Sequence, residues 1–313
     1  MKIAVEAWAP EYGSPIEQEA LEPSGAPVDL DVELPADRWT PVDPPADLEP
    51  SGCCAFVDGV RRIDARVWLT DDDGATRIGL CASFAAGLAR CEGAAAHLED
   101  VEVRRGLFGR ANMPDLITKA GRYAVLAVAG DDLDELTQGV QQRMRALERE
   151  IAERIVASDQ PPELLLLDGP LSGQTSTPGA IGYVKTHRVA YLPAANAAVI
   201  ATLAPGQRGP LFVTQTTWSR YSWYLRLPGA EGHPWAGIVR CETSADLPVA
   251  RARRLADLTA RTLPRFASAP HKDPRAPQNL YPIAGLEREL RRRLGDAAWV
   301  WRALRTAAAA ANA

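Results

Sequence analysis

Two apolar runs, over a hundred residues apart, each end in the dipeptide Asp-Gly. Phe56-Val57 precedes Asp58-Gly59, and Leu164-Leu165-Leu166-Leu167 precedes Asp168-Gly169. A short apolar run bounded by a turn signal is typical of a buried strand, and glycine allows the chain to turn sharply past the carboxylate. The pattern predicts two strands with Asp58 and Asp168 at their tips. If the strands lie side by side, the carboxylates repel unless a cation lies between them, and oxygen ligands suit Mg²⁺ or Mn²⁺.

Asp-Gly is also a common start of hairpins and loops, so each dipeptide taken singly has a purely structural interpretation. Asp71-Asp72-Asp73-Gly74 is interpreted in that way, as a hairpin turn between two strands. The apolar run before Asp58 and before Asp168 distinguishes these two, because an unsatisfied carboxylate at the end of a buried strand is costly.

Hydrophobic periodicity predicts an α/β chain whose clearest helix spans residues 131–157. Before it, strands are predicted at about residues 54–57, 61–69 and 76–84. After it, the pattern predicts strands at 164–167, 181–185, 198–203, 211–216, 221–227 and 235–240, and helices near 247–263 and 283–308. A strand meander, a helix and a further strand, with acids at strand ends, predicts an RNase H-like mixed sheet flanked by helices.

The first 51 residues differ from the rest in charge and composition. They hold 12 of the 40 acidic residues but only Lys2 and Arg38 as bases, which leaves 33 bases against 28 acids in residues 52–313. Pro41, Pro44, Pro45 and Pro50 favour an extended conformation. We therefore predict an extended acidic arm over residues 1–51, which either lies along the body or binds a partner, and a mildly basic body over residues 52–313 that is compatible with nucleic acid.

The overall composition is that of an ordinary globular protein. With 313 residues, 46% hydrophobic and 24% charged, the chain has ample length for a buried core. No apolar stretch approaches the roughly 18 residues of a membrane span, and the acidic Glu6 interrupts any signal-peptide pattern. The five cysteines lack metal-ligand spacing. The expected location is the reducing cytoplasm, with no membrane association.

A nuclease of the RNase H-like type needs a third acid, and the long helix supplies it. Glu148 has Met144, Ile151 and Ile155 at helical offsets, so it lies on the apolar face. Glu150 lies on a more solvated face. Because a glutamate on a buried face requires a partner or a metal, Glu148 is the predicted third acid and Glu150 is the alternative.

At this point the chain resembles the NurA nuclease family over about residues 52–295. The resemblance rests on an ordered set of short motifs around the helix that carries the glutamates: Asp58-Gly59 followed by Arg61, then Leu167-Asp168-Gly169-Pro170-Leu171, Ile181-Gly182-Tyr183-Val184-Lys185 and Gln278-Asn279-Leu280-Tyr281-Pro282.

The resemblance implies an RNase H-like, Mn²⁺-dependent nuclease, with Mg²⁺ as the alternative ion. Its expected activities are single-strand endonuclease and 5′–3′ exonuclease, in DNA end processing and repair. Its expected partners are DNA, a second copy of the chain in a homodimer, and a hexameric HerA-type ATPase. By the same resemblance Asp58, Glu148 and Asp168 are metal ligands, Lys185 stabilises phosphate charge, and Tyr281 lies near the scissile phosphate.

One position departs from the family pattern. The family usually has a histidine about eight residues after the tyrosine, and here that position is Glu289. Glu287 has Ile283 and Leu290 at helical offsets, so it faces inward more plausibly than Glu289 does. A fourth carboxylate at Glu287 can replace the histidine as a ligand, or it can be a surface residue, and both interpretations stay open.

Basic residues near these motifs are candidates for phosphate contacts. They are Arg61, Arg62, Lys185, Arg288 and Arg292. Runs of arginine are more commonly solvated faces, and that alternative applies to the last two helices. The glycine-rich stretch 169–182 lacks the lysine of a phosphate-binding loop, so nucleotide hydrolysis is not expected.

Two functions therefore remain. The first is a metal-dependent DNA nuclease that hydrolyses phosphodiesters by a two-metal mechanism. The second is a non-catalytic RNase H-like module that docks to a DNA-translocating ATPase, an alternative that the missing histidine keeps open.

Overall fold

A computed structural model describes residues 8, 22–70, 74, 76–130, 132–171, 177, 179–216, 218–230 and 233–311. The chain divides into two compact units. The first unit comprises Met1–Phe56, Ala89–His97 and Ile155–Ala284, and the second comprises Val57–Leu88, Leu98–Arg154 and Gly285–Ala313.

The first unit contains ten strands and α-helices, in chain order β1 (Glu22–Pro23), β2 (Val28–Asp29), β8 (Leu164–Asp168), β9 (Ala180–Val184), β10 (Val189–Ala190), α2 (Ala194–Ala201), β11 (Phe212–Gln215), β12 (Ser219–Arg226), β13 (Ile238–Ser244) and α3 (Val249–Thr262), among its described residues. It is built on a mixed sheet with strand order β2-β11-β12-β13-β9-β8. Strands β8 and β9 are parallel, whereas β9, β13, β12, β11 and β2 pair antiparallel in turn.

The core of the first unit lies between its sheet and its helices. Helix α3 packs on β12, where the fully buried Trp223 donates its Nε1–H to Thr259 Oγ1 at 3.0 Å. On the other side, Phe212 stacks on Tyr224 with ring centroids 5.8 Å apart. Tyrosine and tryptophan rings thus supply much of the buried area of this sheet.

Residues 28–51 pack along the first unit. Strand β2 pairs with β11, and Trp39 joins the core. Arg208, which is 0% exposed, donates to both carboxylate oxygens of Glu33 at 2.7 and 2.8 Å. Arg208 also donates to Asp257 at 2.8 Å, so its buried charge is fully paired.

The elements of the second unit, some of which extend into the first unit, are β3 (Cys53–Thr70), β4 (Thr76–Glu92), β5 (Ala95–Gly109), β6 (Leu116–Thr118), β7 (Gly121–Ala127), α1 (Leu133–Val156), α4 (Tyr281–Arg293) and α5 (Ala297–Ala311). Its strands lie in the order β3-β4-β5-β7-β6. Strands β5 and β7 are parallel, and β7 and β6 are antiparallel.

Helices approach the sheet of the second unit closely because small residues lie at the contacts. Gly139 of α1 lies against Val128, and Gly87 of β4 lies against Leu286 and Leu290 of α4. Asp132 caps α1 by accepting the N–H of Glu135 at 2.8 Å. These contacts hold α1 and α4, which carry the candidate glutamates, close to the sheet.

The predicted α/β fold with a mixed sheet flanked by helices is confirmed, and several elements are corrected. Residues 198–203 were predicted as a strand, but alanine-rich Ala194–Ala201 forms α2, in keeping with the high helix propensity of alanine. The helix predicted over 283–308 is two helices. Gly295, at φ +82°, ends the first, and Asp296 caps the second by accepting the N–H of Trp299 at 2.6 Å.

The region around Asp58 also differs from the prediction. Asp58 lies inside one continuous 18-residue strand, β3, rather than at the tip of a short one. Strands β5 to β7 were not predicted, since their apolar alternation is weak in sequence. The Asp71-Asp72-Asp73 turn lies outside the described residues. No helix among those described combines the length and apolar composition needed to cross a bilayer.

We predict that Glu33→Ala lowers the free energy of unfolding by about 3 kcal/mol, the lower end for a broken buried pair, because Asp257 still pairs with Arg208. Urea unfolding of the full chain measures this loss. The Arg208 contacts lower the pKa of Glu33 despite the opposing effect of burial. The difference from wild type should therefore shrink as pH falls through that lowered pKa.

The matched control is Glu49→Ala, which removes an exposed acid from the same segment. It should change the free energy of unfolding by less than about 0.5 kcal/mol. Equal losses in the two variants would contradict a structural role for the Glu33–Arg208 pair.

Candidate metal centre

Asp168 ends strand β8, as predicted, and its two carboxylate oxygens have different surroundings. Oδ2 accepts from Lys185 Nζ at 2.6 Å. Oδ1 is buried and has no hydrogen-bond partner within the part of the chain that the structure describes. Gly169 adopts φ +93° and its N–H donates to Tyr183 O at 2.8 Å, so the chain turns directly after the carboxylate. An unsatisfied buried carboxylate oxygen fits a cation ligand.

Lys185 follows β9 and is fixed by a second contact. Its Nζ donates to Asn279 Oδ1 at 3.0 Å, and Asn279 Nδ2 donates to Asp273 Oδ2 at 2.8 Å. Asp273 Oδ1 in turn accepts the N–H of Arg275 at 2.8 Å. The sequence analysis did not predict Asp273 and gave Asn279 no role, although Asn279 lies in the motif that runs from Gln278 to Pro282.

The segment that precedes α4 is anchored by neighbouring polar contacts. Gln278 accepts from Trp8 Nε1 at 3.0 Å through its side chain, and from the hydroxyl of Tyr183 at 2.7 Å through its backbone carbonyl. Tyr281 is 38% exposed, and its hydroxyl oxygen accepts the N–H of Ala269 at 3.1 Å. The role of Tyr281 near a phosphate stays a prediction.

In the second unit, Asp58 and Glu287 form an acidic cluster. Asp58 is only 5% exposed, and one carboxylate oxygen of each residue lies within 4.8 Å of the other. Two carboxylates this close repel each other unless a cation or a proton compensates them. The arrangement can therefore hold a divalent ion through hard oxygen ligands.

Glu148, the predicted third acid, packs on β3 at Gly59 and is not among the acids whose oxygens lie within 4.8 Å of one another. It is 7% exposed, and its Oε1 lies next to the Cα of Gly59, the residue that follows Asp58. Gly59 has no positive φ, so glycine is required here for this close approach and not for a turn. Glu150, the alternative third acid, is about half exposed and pairs with Arg104 at 2.6 Å.

The two glutamates on α4 have different surroundings. Glu289 accepts from Arg292 Nη2 at 2.6 Å and from Arg293 Nε at 2.7 Å. Hydrogen bonds from these two arginines lower the pKa of Glu289 to about 2. Glu289 is thus engaged on the helix surface, and Glu287 is the member of the pair whose oxygen lies near another carboxylate.

The predicted phosphate-binding arginines are distributed unevenly. Arg62 donates to Asp64 at 2.8 Å and to Gly295 O at 2.6 Å, so its guanidinium closes the end of α4. Arg61 is exposed and donates to Gln141 at 2.6 Å, and Arg288 is exposed on α4. Nothing in these contacts establishes nucleic-acid binding, which stays a prediction for each of the five basic residues.

No family model matches the chain, and no curated protein matches it. Among solved structures, the chain is similar to the crystal structure of the NurA nuclease from Sulfolobus solfataricus. The sequences are 10% identical, the match covers 83% of this chain and 86% of that one, and the TM-score is 0.47. We therefore infer function from the side chains of the two units rather than from this likeness.

We predict that Gly59→Ala destabilises the protein by about 1–3 kcal/mol, the usual range for overpacking. A Cβ at this position would collide with Glu148 Oε1 and would lie 2.9 Å from Met144 Cγ and 3.2 Å from Ala85 O. Urea unfolding measures the loss. Gly52→Ala is the control, because an added Cβ there meets nothing within 4 Å. A Gly59→Ala variant as stable as Gly52→Ala would refute the close packing of Glu148 on β3.

Proposed function

We propose that this protein is a metal-dependent nuclease that hydrolyses phosphodiester bonds of DNA. In this proposal Asp58, Asp168 and Glu287 hold a divalent cation, Mn²⁺ or Mg²⁺, and Glu148 stays a further candidate ligand. The observation that carries the proposal is the close approach of the Asp58 and Glu287 carboxylates. Two such groups on packed elements favour a cation between them.

Strand register supports the inclusion of Asp168. In the first unit, the N–H of Glu163 donates to Cys53 O at 3.1 Å, where β3 and β8 begin. Asp58 and Asp168 are each the fifth residue after this bonded pair. This equal spacing from a bonded pair is compatible with two acids that serve one ion. The unsatisfied Oδ1 of Asp168 is the atom available for the ion.

A bound divalent cation would lower the pKa of a coordinated water and stabilise charge on phosphate oxygens. The carboxylates orient that ion, and Lys185 adds a fixed positive charge close to Asp168. In the hydrolysis, the water oxygen forms a bond to phosphorus while a P–O ester bond breaks, which leaves a hydroxyl and a phosphate monoester. We propose that Tyr281 contacts the phosphate through its exposed side chain, and that Arg61 and Arg288 contact the DNA backbone.

The alternative of a non-catalytic docking module has one specific observation in its favour. Glu289, at the position where the resembled family has a histidine, is held by Arg292 and Arg293 and does not replace that side chain. The proposed nuclease therefore depends on Glu287 as the remaining carboxylate of α4. Absence of any divalent-dependent cleavage would favour the docking module.

We predict that the purified protein digests end-labelled DNA with Mn²⁺ or Mg²⁺ and not with EDTA. Asp58→Asn, Asp168→Asn and Glu287→Gln should each lower the rate more than about 100-fold, beyond the usual cost of losing an outer partner of a metal ligand. Gel analysis of single- and double-stranded substrates measures this loss, and the comparison of ions identifies the preferred cation.

The matched controls are Glu150→Gln on α1 and Glu289→Gln on α4, because each of these acids pairs with arginine. Both should retain nearly full activity. Full activity in Asp58→Asn or Asp168→Asn would refute the proposed site. Loss of activity in Glu150→Gln alone would indicate that Glu150, and not Glu148, is the acid that α1 supplies.

We further propose that a hexameric DNA-translocating ATPase binds this nuclease and that the nuclease acts as a homodimer. The weak excess of positive charge supports a motor that holds the duplex, since residues 52–313 carry only five more bases than acids. The acidic segment 28–51 offers exposed acids, among them Asp37, Asp47 and Glu49, as a docking surface.

We predict that neutralising Asp37, Asp47 and Glu49 together leaves unassisted cleavage of short single strands intact and reduces stimulation by such an ATPase. Charge substitution is preferable to deletion here, because Glu33 and Trp39 stabilise the first unit. Cleavage rates with and without the ATPase measure the effect. Undiminished stimulation would exclude docking through this surface, and increased DNA affinity of the isolated variant would indicate shielding instead.

A further inference from the structure

We propose that Asp273 and Asn279 are positioning residues that fix the Lys185 ammonium, and through it the Asp168 carboxylate. This inference rests on the proposed function of Asp168 as a metal ligand. The four side chains form one hydrogen-bonded series within the first unit: Asp273 to Asn279 at 2.8 Å, Asn279 to Lys185 at 3.0 Å, and Lys185 to Asp168 at 2.6 Å.

The series is shielded from water, which makes each of its bonds matter. Asn279 is 0% exposed, Asp273 is buried, and the side chains of Lys185 and Asp168 are 10% and 15% exposed. A buried amide that loses a partner cannot replace it with solvent, and it then carries a desolvation penalty.

The chemistry of the partners allows Asn279 only one orientation. An ionised carboxylate only accepts hydrogen bonds and an ammonium only donates them. Between Asp273 and Lys185, the amide must therefore direct its NH₂ to Asp273 and its oxygen to Lys185. The charge on Asp273 thereby determines that Asn279 presents its oxygen, and not its NH₂, to Lys185. Asp273 and Lys185 themselves do not share a direct hydrogen bond.

The fixed ammonium has two consequences for the proposed centre. Lys185 uses two of its three donors on Asn279 Oδ1 and Asp168 Oδ2, which leaves a third N–H for a phosphate oxygen. It is also kept on Oδ2, so that Oδ1 of Asp168 stays available to a cation. An ammonium released from Asn279 could move toward Oδ1 and compete with the ion there.

Asp273→Asn tests this logic because it preserves shape and removes charge. The new amide can keep the bond to the Arg275 N–H through its oxygen, but it then presents NH₂ to Asn279. Asn279 must rotate, and its own NH₂ then faces Lys185. We expect kcat on single-stranded DNA to fall about 10–100-fold and Mn²⁺ affinity, measured by calorimetry, to fall about 10-fold.

The exchange variant Asp273→Asn/Asn279→Asp should restore most of both losses. In the exchanged pair, a carboxylate at 279 accepts from the amide at 273 and from Lys185, so every bond of the series is remade. Such a rescue would show that the two positions act as one hydrogen-bonded pair. The Lys185→Met comparison below separates action through Lys185 from a merely structural role of the pair. Failure of the exchange to improve on Asp273→Asn would overturn the proposal.

Two further comparisons keep the test decisive. In a Lys185→Met background, Asp273→Asn should cause no additional loss of Mn²⁺ affinity or kcat, and a full additional loss would refute action through Lys185. Asp257→Asn is the control for burial, because it alters a buried aspartate that pairs with Arg208 in the same unit. It should lower stability without changing Mn²⁺ affinity, and an equal change in affinity would also refute the proposal.

The proposed function and this inference can fail separately. If the wild-type protein binds Mn²⁺ but cleaves no DNA, the proposed nuclease function is refuted. The changes in Mn²⁺ affinity and their rescue would still establish Asp273 and Asn279 as positioning residues. A wild-type nuclease whose Mn²⁺ affinity and kcat are unaffected by Asp273→Asn would retain the proposed function and remove the positioning pair.

Discussion

The ion pair between Lys185 and Asp168 is the interaction on which the candidate centre depends. It satisfies one oxygen of a carboxylate at a buried strand end and leaves the other without a described partner. Without Lys185 the whole charge of Asp168 would need compensation from elsewhere, and with a second donor on Oδ1 an ion would have to compete for both oxygens. The fixed ammonium of Lys185 thus offsets the cost of burying the Asp168 carboxylate, and it leaves Oδ1 of Asp168 able to bind an ion.

The Arg208 cluster shows the contrasting solution to a buried charge. Arg208 donates to Glu33, to Asp257 and to the carbonyl of Gly209, so the partners around its guanidinium are complete. Complete pairing serves stability by joining the acidic segment to the first unit, and it leaves nothing for a ligand. Incomplete pairing around Asp168, whose side chain is 15% exposed but whose Oδ1 is buried, is what distinguishes a candidate site from a structural network.

The features predictable from the sequence were those set by local pattern. Helical spacing was enough to place Glu148 on the buried face of α1, and the apolar run before Asp168 predicted β8. Features set by distant contacts were not predictable. Asn279 gains its significance only when Asp273 and Lys185 lie on either side of it, and no spacing along the chain indicates that arrangement. The break at Gly295 was local and could have been found from Gly-Asp before an alanine-rich run.

The two Asp-Gly dipeptides show why the same motif can have two physical origins. Gly169 has φ +93° and turns the chain after Asp168, which is the reason that the pattern suggested. Gly59 continues a straight strand, and the absence of a Cβ is needed because Glu148 and Met144 occupy that space. A turn glycine presents a carboxylate at a strand end, whereas a contact glycine brings a second carboxylate to the side of a strand. The two glycines therefore position carboxylates for different physical reasons, and the side-chain contacts around each glycine are needed to tell the two reasons apart.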